Sequence, residues 1–337
     1  MASGRMEFHA ESIMQHANFA FVLPSDVYEP EIKDRRHYAR PPKSLILLHG
    51  LTGTDTDWLF GGVAQEMAVQ YNLAVFMPTA GNNFYLDRGY PGGNWGSFVG
   101  EELPAFIRKT FGFCQTREDT LIGGLSMGGF GALRTALRYP ESFSACLALS
   151  SALVLHEVAA TGQRENSVMP AGLVREVFGD PKTLLGSERD PEYLYRSGRE
   201  AGKTMPAIYL ACGTEDSLLG VNRDFRDFLE GQGAQLCYEE GPGEHNWTFW
   251  NAYIDRGLAW ALRDDGREEP LAGEPQGKKL SEMTNTELFC VLTGDRDVLR
   301  QARLQNLILA YRKKHPEQVG LGEVDLAAIV AEMDGEA

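Results

Sequence analysis

Thr120-Leu121-Ile122-Gly123-Gly124-Leu125-Ser126-Met127-Gly128-Gly129 is the stretch on which the reading of this chain turns. An apolar run, Thr120–Gly124, meets a serine with a glycine two residues away on each side. A helix-length amphipathic segment, Met127–Tyr139, follows without a linker. A serine at a tight strand-to-helix turn needs small neighbours, because its backbone is strained and must approach other elements closely. Such a turn lifts the hydroxyl above a sheet. It also aims the Met127 N–H, at a helix N-terminus, toward any anion that forms there.

The same alternation extends to both sides. Short apolar runs at Ser44–Leu48, Leu73–Pro78, Phe143–Ser150, Ala207–Ala211 and Gln235–Tyr238 are separated by helical patterns at Thr56–Gln70, Ser97–Lys109, Asn222–Gln232 and Trp247–Leu262. Strands that are apolar on both faces belong inside a mostly parallel sheet covered by helices, so the expected class is α/β, doubly wound. From about Leu155 to Lys203 no buried-strand pattern appears. An insertion there follows a strand at the carboxyl edge of the sheet, where ligands bind in open α/β folds, and reads as lid-like or as a surface excursion. Residues 1–263 then form one domain. Asp264–Lys279, dense in Pro, Gly and charge, reads as a linker, and 280–337 as a small helical region. In that region Thr284 to Glu287 has the form of a capping box, and Leu304, Leu307, Ile308 and Tyr311 make one helical stripe. A piece this small is marginal alone, so it is expected to dock on something, a second copy of the chain or another partner among the choices.

Composition excludes several function classes. The chain has 337 residues, 43% hydrophobic and 23% charged, as ordinary globular proteins do. A formal charge of −15 repels phosphate backbones and anionic lipid, so neither nucleic acid nor a membrane surface is an expected partner. Five scattered cysteines, with no Cys-x-x-Cys pair, indicate neither a metal clamp nor a disulfide framework; no metal and no cofactor are expected. With no apolar run of membrane length and no leader-like start, the expected location is cytoplasmic, and MASGR reads as an appended remnant.

A serine alkoxide does not exist at neutral pH, so Ser126 needs a base, and the base an orienting acid. In this class both follow the serine, leaving His156, His245 and His315 as bases. His245 alone lies in a Gly-rich loop after the last strand and before the last helix, where an imidazole can reach the serine. Ala207–Ala211 runs into Cys212-Gly213-Thr214-Glu215-Asp216, which makes Asp216 the preferred acid and Glu215 the runner-up, with Asp180 and Asp190 inside the insertion. A second oxyanion donor is expected from His49-Gly50-Leu51-Thr52-Gly53, as the Leu51 N–H opposite that of Met127. His49 itself reads as a structural hydrogen-bonder. Asn82, Asn83, Phe84, Tyr85 and Trp95 follow the strand Leu73–Pro78; Asn83 and Trp95, with Trp247 at the start of the last helix, are pocket candidates, packing over the sheet rim being the alternative.

HGLTG at His49–Gly53, GLSMGG at Gly124–Gly129, GTED at Gly213–Asp216 and the triplet His245-Asn246-Trp247 together resemble the signatures of an α/β-hydrolase-fold esterase family. That family includes tributyrin esterases, esterase D-type S-formylglutathione hydrolases and feruloyl or acetylxylan esterases. Val177–Leu194 further resembles the insertion of the bacterial tributyrin esterase branch. The resemblance covers about Met6–Leu262 and implies Ser126 as nucleophile, His245 as base, Asp216 as acid, and the Leu51 and Met127 amides as oxyanion hole. It implies a serine carboxylesterase for short acyl esters, acetyl or butyryl, on acetylated or feruloylated sugars among others, without cofactor. The enzymatic alternative is S-formylglutathione thioester hydrolysis; the rival from another class is a non-catalytic, partner-binding protein.

Overall fold

The computed structural model describes residues 1–28, 32, 35–162 and 169–263. In chain order they form β1 (Ala2–Ala10), β2 (Gln15–Leu23), β3 (Lys43–Leu48), α1 (Asp57–Phe60), α2 (Ala64–Tyr71), β4 (Leu73–Pro78), α3 (Leu103–Phe111), β5 (Thr120–Leu125) and α4 (Met127–Arg138). There follow β6 (Ala145–Leu149), α5 (Leu155–Thr161), α6 (Ala171–Phe178), α7 (Pro191–Glu200), β7 (Ala207–Gly213), α8 (Leu219–Gly231), β8 (Leu236–Gly241) and α9 (Trp247–Ala261). The strands make one eight-stranded sheet in the order β1-β2-β4-β3-β5-β6-β7-β8. From β4 to β8 every pairing is parallel, and β1 and β2 add an antiparallel edge.

The apolar runs explain the layering. Successive side chains on a strand leave opposite faces of a sheet, so a run buried throughout must be covered on both. Ile46, Phe76, Ile122, Cys146 and Leu210 meet Ile107, Phe130, Leu133 and Leu229 from α3, α4 and α8 on one face. Leu45, Val75, Leu121, Leu147 and Tyr209 meet Met67, Ala68, Ile254 and Leu258 from α2 and α9 on the other. Each Val, Leu, Ile, Phe or Met side chain among them contributes about 1.5–3 kcal/mol on burial.

MASGR takes part in the fold: β1 pairs with β2 from Ala2 to Ala10, and the Arg5 guanidinium is paired with the buried carboxylate of Asp55. Two expected helices need correction. The helix expected over Thr56–Gln70 is two, because at Gly61 and Gly62 the backbone lies against the indoles of Trp247 and Trp58, leaving no room for side chains. The one expected at Ser97–Lys109 starts at Trp95 and passes through a π-turn, Phe98–Glu102, before α3. The insertion holds no strand among its described residues. Its helices bury Val174, Val177, Phe178, Leu194 and Tyr195 in the core, so it is no mere surface excursion. Cys114, Cys146 and Cys212 are buried free thiols, and Cys237 is half-buried. The chain divides into a compact unit, Met1–Gly266, and the remainder, Arg267–Ala337. The expected linker, the helical region 280–337, His315 and Cys290 lie outside the described residues. Among those described, no helix is long and apolar enough to cross a membrane.

The turn at Ser126 is where the elements come closest. A Cβ on Gly128 would run into the Leu48 and His49 carbonyl oxygens, and one on Gly124 into the Gly128 backbone. These neighbours are backbone and cannot swing aside. Gly128→Ala is therefore expected to cost about 1–3 kcal/mol in urea unfolding. Gly172→Ala, on a helix with open space around it, should stay within about 0.5 kcal/mol. Equal costs for the two would contradict this account.

Candidate active site

The carboxyl ends of β3, β5, β6, β7 and β8 bring the chosen residues to one edge of the sheet. Ser126 has φ 57 and ψ −119, a conformation that a residue with a side chain rarely adopts, and is followed at once by α4. Its N–H is bonded to the Leu149 carbonyl (2.9 Å), and its own carbonyl accepts from Phe130 and Ala152. The surrounding ladder thus holds the strained turn. The Ser126 side chain does not cap α4, so the first helical N–H groups keep their polarity for another acceptor.

Two β-strands farther along, β7 ends in the loop that carries Asp216. Its Oδ2 lies 2.8 Å from Nδ1 of His245, and Oδ1 accepts the Leu218 N–H at 2.9 Å. Burial pushes this carboxyl up; the His245 imidazole, the Leu218 N–H and the Ser150 hydroxyl more than offset it and hold the pKa below its ordinary value. The group therefore stays an anion beside the imidazole. His245 itself is placed by its neighbours. Asn246 caps α9 through the Phe249 N–H (3.2 Å), and the Glu215 carboxylate accepts from Gly243 N–H at 2.6 Å. Glu215, the runner-up acid, thus ties down the loop and leaves the imidazole to Asp216. Asp180 and Asp190 cap short helices of the insertion, and His156 pairs with Glu192 on the surface. In this structure the Ser126 hydroxyl is not hydrogen-bonded to His245; contacts of this kind often tighten only when substrate is bound.

The loop after β3 lies against the serine: a Cβ on Gly50 would be 3.5 Å from that of Ser126. His49 controls its shape. The Ala80 N–H donates to Nε2 (2.9 Å), so Nδ1 carries the proton and donates it to the Gly50 carbonyl (2.7 Å), which also accepts from Gly53 N–H (3.1 Å). In a trans peptide the N–H points opposite to the C=O, so anchoring the Gly50 carbonyl fixes the direction of the Leu51 N–H. Burial lowers the His49 pKa, which keeps the ring neutral, as two ring N–H donors could not both be satisfied here.

Of the pocket candidates, Asn83 is buried and spends its Oδ1 on Tyr85 N–H (2.8 Å), so it shapes the turn. Trp95 is half-buried, edge-on to Phe98, and Trp247 is half-buried between Trp58 and Trp250. Phe84 and Tyr85 are fully buried beneath the loop and cannot wall a pocket. Asn82 proves more telling: its Oδ1 accepts from Thr52 N–H (2.7 Å), across to the His49–Gly53 loop. A polar residue just past a strand at this edge was the only sequence signal for it. Two cavities, of about 40 and 540 Å³, are lined by residues other than these candidates. Among the described residues no cluster of three or more His, Cys, Asp or Glu could hold a metal ion.

The family whose description reads "Putative esterase" matches residues 10–261. The chain belongs to this esterase family. It is 39% identical over 262 residues to an acetyl esterase of Caldicellulosiruptor saccharolyticus, covering 77% of this chain and 98% of that protein. Its fold is similar to that of the fluorophosphonate-binding serine hydrolase F of Staphylococcus aureus (TM-score 0.66, 27% identity, 78% of this chain and 99% of the other). It also resembles an S-formylglutathione hydrolase of the same organism (TM-score 0.65, 27% identity, 77% and 98%). This esterase is accordingly a serine hydrolase acting on carboxylic ester bonds, with the α/β-hydrolase fold.

The His49 ring gives this esterase a pH signature. A histidine with a depressed folded pKa contributes stability that is present above the unfolded value, about 6.5, and is lost as pH falls toward the folded one. Between pH values of about 7.5 and 5.5 the wild type should therefore lose more stability in urea unfolding than His49→Asn. An equal loss in both proteins would contradict the assignment.

Proposed function

We propose that this esterase hydrolyses short-chain acyl esters through Ser126, His245 and Asp216, with the Leu51 and Met127 amides as the oxyanion hole. The observation that carries the reading is the 2.8 Å pair between His245 Nδ1 and an ionised Asp216, standing at the same sheet edge as a serine with φ 57. Ser126 Oγ attacks the ester carbonyl carbon as its proton passes to His245 Nε2, and the carbonyl oxygen takes the negative charge. Asp216, bound to Nδ1–H, selects the tautomer that leaves Nε2 free to accept. Collapse of the tetrahedral species expels the alcohol, which receives the proton from His245. Water then gives a proton to His245 and attacks the acyl-enzyme, and the second collapse returns the proton to Ser126 and releases the acid. Each oxyanion amide is worth about 10²–10³ in rate.

Small acyl groups are favoured by the 39% identity to an acetyl esterase. A second reading, thioester hydrolysis of S-formylglutathione, is supported by the structural likeness to a hydrolase of that substrate. The proposed machinery sits within residues 1–263, so this part is expected to suffice for turnover. Hydrolysis of p-nitrophenyl acetate, butyrate and octanoate and of S-formylglutathione, by wild type and Ser126→Ala, tests both. Acetate or butyrate should be preferred, with a loss of at least about 10³ in kcat for Ser126→Ala. Preference for the thioester selects the second reading, and turnover that survives Ser126→Ala contradicts the mechanism.

A further inference from the structure

Thr52 follows the proposed oxyanion donor directly, at the surface, in a backbone conformation that suits it badly. Its φ is 64, the left-handed region, where a side chain branched at Cβ is a rare outlier. The turn around it accounts for the angle. The Gly53 N–H is bonded to the Gly50 carbonyl (3.1 Å), which closes a β-turn over Gly50-Leu51-Thr52-Gly53. With a negative φ at Leu51 and a positive one at Thr52 this is a type II turn, a form that ordinarily places glycine or asparagine at its third residue. A type I turn over the same residues keeps the closing hydrogen bond and gives the third residue a φ of about −90°, which threonine adopts freely. The two forms differ by roughly a half-turn of the peptide between Leu51 and Thr52.

Asn82 holds the turn in the form observed. Its Oδ1 accepts the Thr52 N–H at 2.7 Å, and that N–H belongs to the peptide that would turn over. Asn82 is itself braced, because the Ala80 N–H is bonded to Nε2 of His49 (2.9 Å) and the Asn83 N–H to the Gly81 carbonyl (2.9 Å). The loop after β4 and the loop after β3 are thus tied twice, at Ala80 with His49 and at Asn82 with Thr52. Through His49 the first tie reaches the peptide before Leu51, since Nδ1 donates to the Gly50 carbonyl at 2.7 Å. The second reaches the peptide after it. A residue between two anchored peptide planes has both backbone angles set, so the Leu51 N–H is aimed from either side.

We propose that Asn82 is a positioning residue, which keeps the Gly50–Gly53 turn in its type II form and so holds the Leu51 N–H toward the substrate carbonyl oxygen. The inference rests on the reading of Ser126, His245, Asp216 and the two amides, and deepens it. Without this tie the strain at Thr52 is released. The peptide turns over, Leu51 is held from one side only, and the peptide dipole beside the oxyanion hole is reversed. The corner that would move is close to the chemistry, since a Cβ on Gly50 would lie 3.5 Å from that of Ser126.

Asn82→Ala removes the acceptor and strands no buried group, because Thr52 is exposed and its N–H passes to water. Its kcat on p-nitrophenyl acetate should fall about 10-fold at little change in KM, less than the about 10²–10³ of a donor removed outright. Phenylboronic acid supplies a second readout. Its boron takes the Ser126 oxygen to give a tetrahedral anion, the proton passing to His245, and this adduct should form about 10-fold more weakly in the variant. Thr52→Gly then separates the turn from any other effect. Glycine adopts a φ of 64 without steric cost, so the type II turn no longer needs Asn82. In Asn82→Ala/Thr52→Gly both kcat and boronate affinity should return to within about 3-fold of the wild type.

Wild-type kcat and boronate affinity in Asn82→Ala overturn the proposal. So does a loss that Thr52→Gly fails to recover, which assigns Asn82 to a contact other than the turn. Ser126→Ala, run beside them, keeps the two levels apart: if it retains wild-type turnover the triad reading falls and this inference with it, whereas its loss of turnover leaves the Asn82 result to stand by itself.

Discussion

The structure depends on one close approach, that of the Gly128 backbone to the carbonyl oxygens of Leu48 and His49. It brings the start of α4 against the end of β3, so that a serine amide region and a loop amide can face a single point. Every other feature of the site is aligned by strands running parallel to β5, each ending at the same edge. The strain at Ser126 is sustained because the Leu149 carbonyl and the Phe130 and Ala152 N–H groups hold its backbone from three directions. Such a turn can be kept only where a large core supports it, and the buried faces on both sides of the sheet supply that core.

Around this point the polar groups form a scaffold whose members seldom touch the reacting atoms. His49 fixes a carbonyl and thereby an amide; Asn82 holds the next residue, Thr52; Asp55, anchored by Arg5 and by the Thr79 hydroxyl, holds the far end of the loop. On the other side Glu215 fastens the loop before His245 and Asn246 caps the helix after it. Preorganisation of this kind matters because donors already aimed at a developing charge need not reorganise when the charge appears.

The central strands were legible, and Ser126, Asp216 and His245 could be picked out as candidates, because each shows a local pattern: apolar runs, glycines two residues either side of Ser126, an acid just past an apolar strand, a histidine in a Gly-rich loop. The edge hairpin was not. In β1 only alternate residues, such as Met6 and Phe8, turn toward the core, so a search for wholly apolar runs passes over it, though its two-residue period was there to be read. The break at Gly61 and Gly62 depends on Trp247, nearly two hundred residues away in sequence, and no local signal announces it. The same holds for Asn82 and Thr52, thirty residues apart, and for Trp250 and Ser150, a hundred apart. The proposed catalytic residues carried a motif, while the residues packed around them were found only by their contacts.

The account therefore makes Ser126 the sole nucleophile, activated from the far end of the sheet by His245 and Asp216. The most direct measurement is to treat the full-length protein with a fluorophosphonate and map the adduct by peptide mass spectrometry, in the wild type and in His245→Ala. The account predicts one adduct, on Ser126, formed rapidly in the wild type and at least about 10²-fold more slowly without the imidazole. An adduct on another residue, or equal rates in the two proteins, would contradict it.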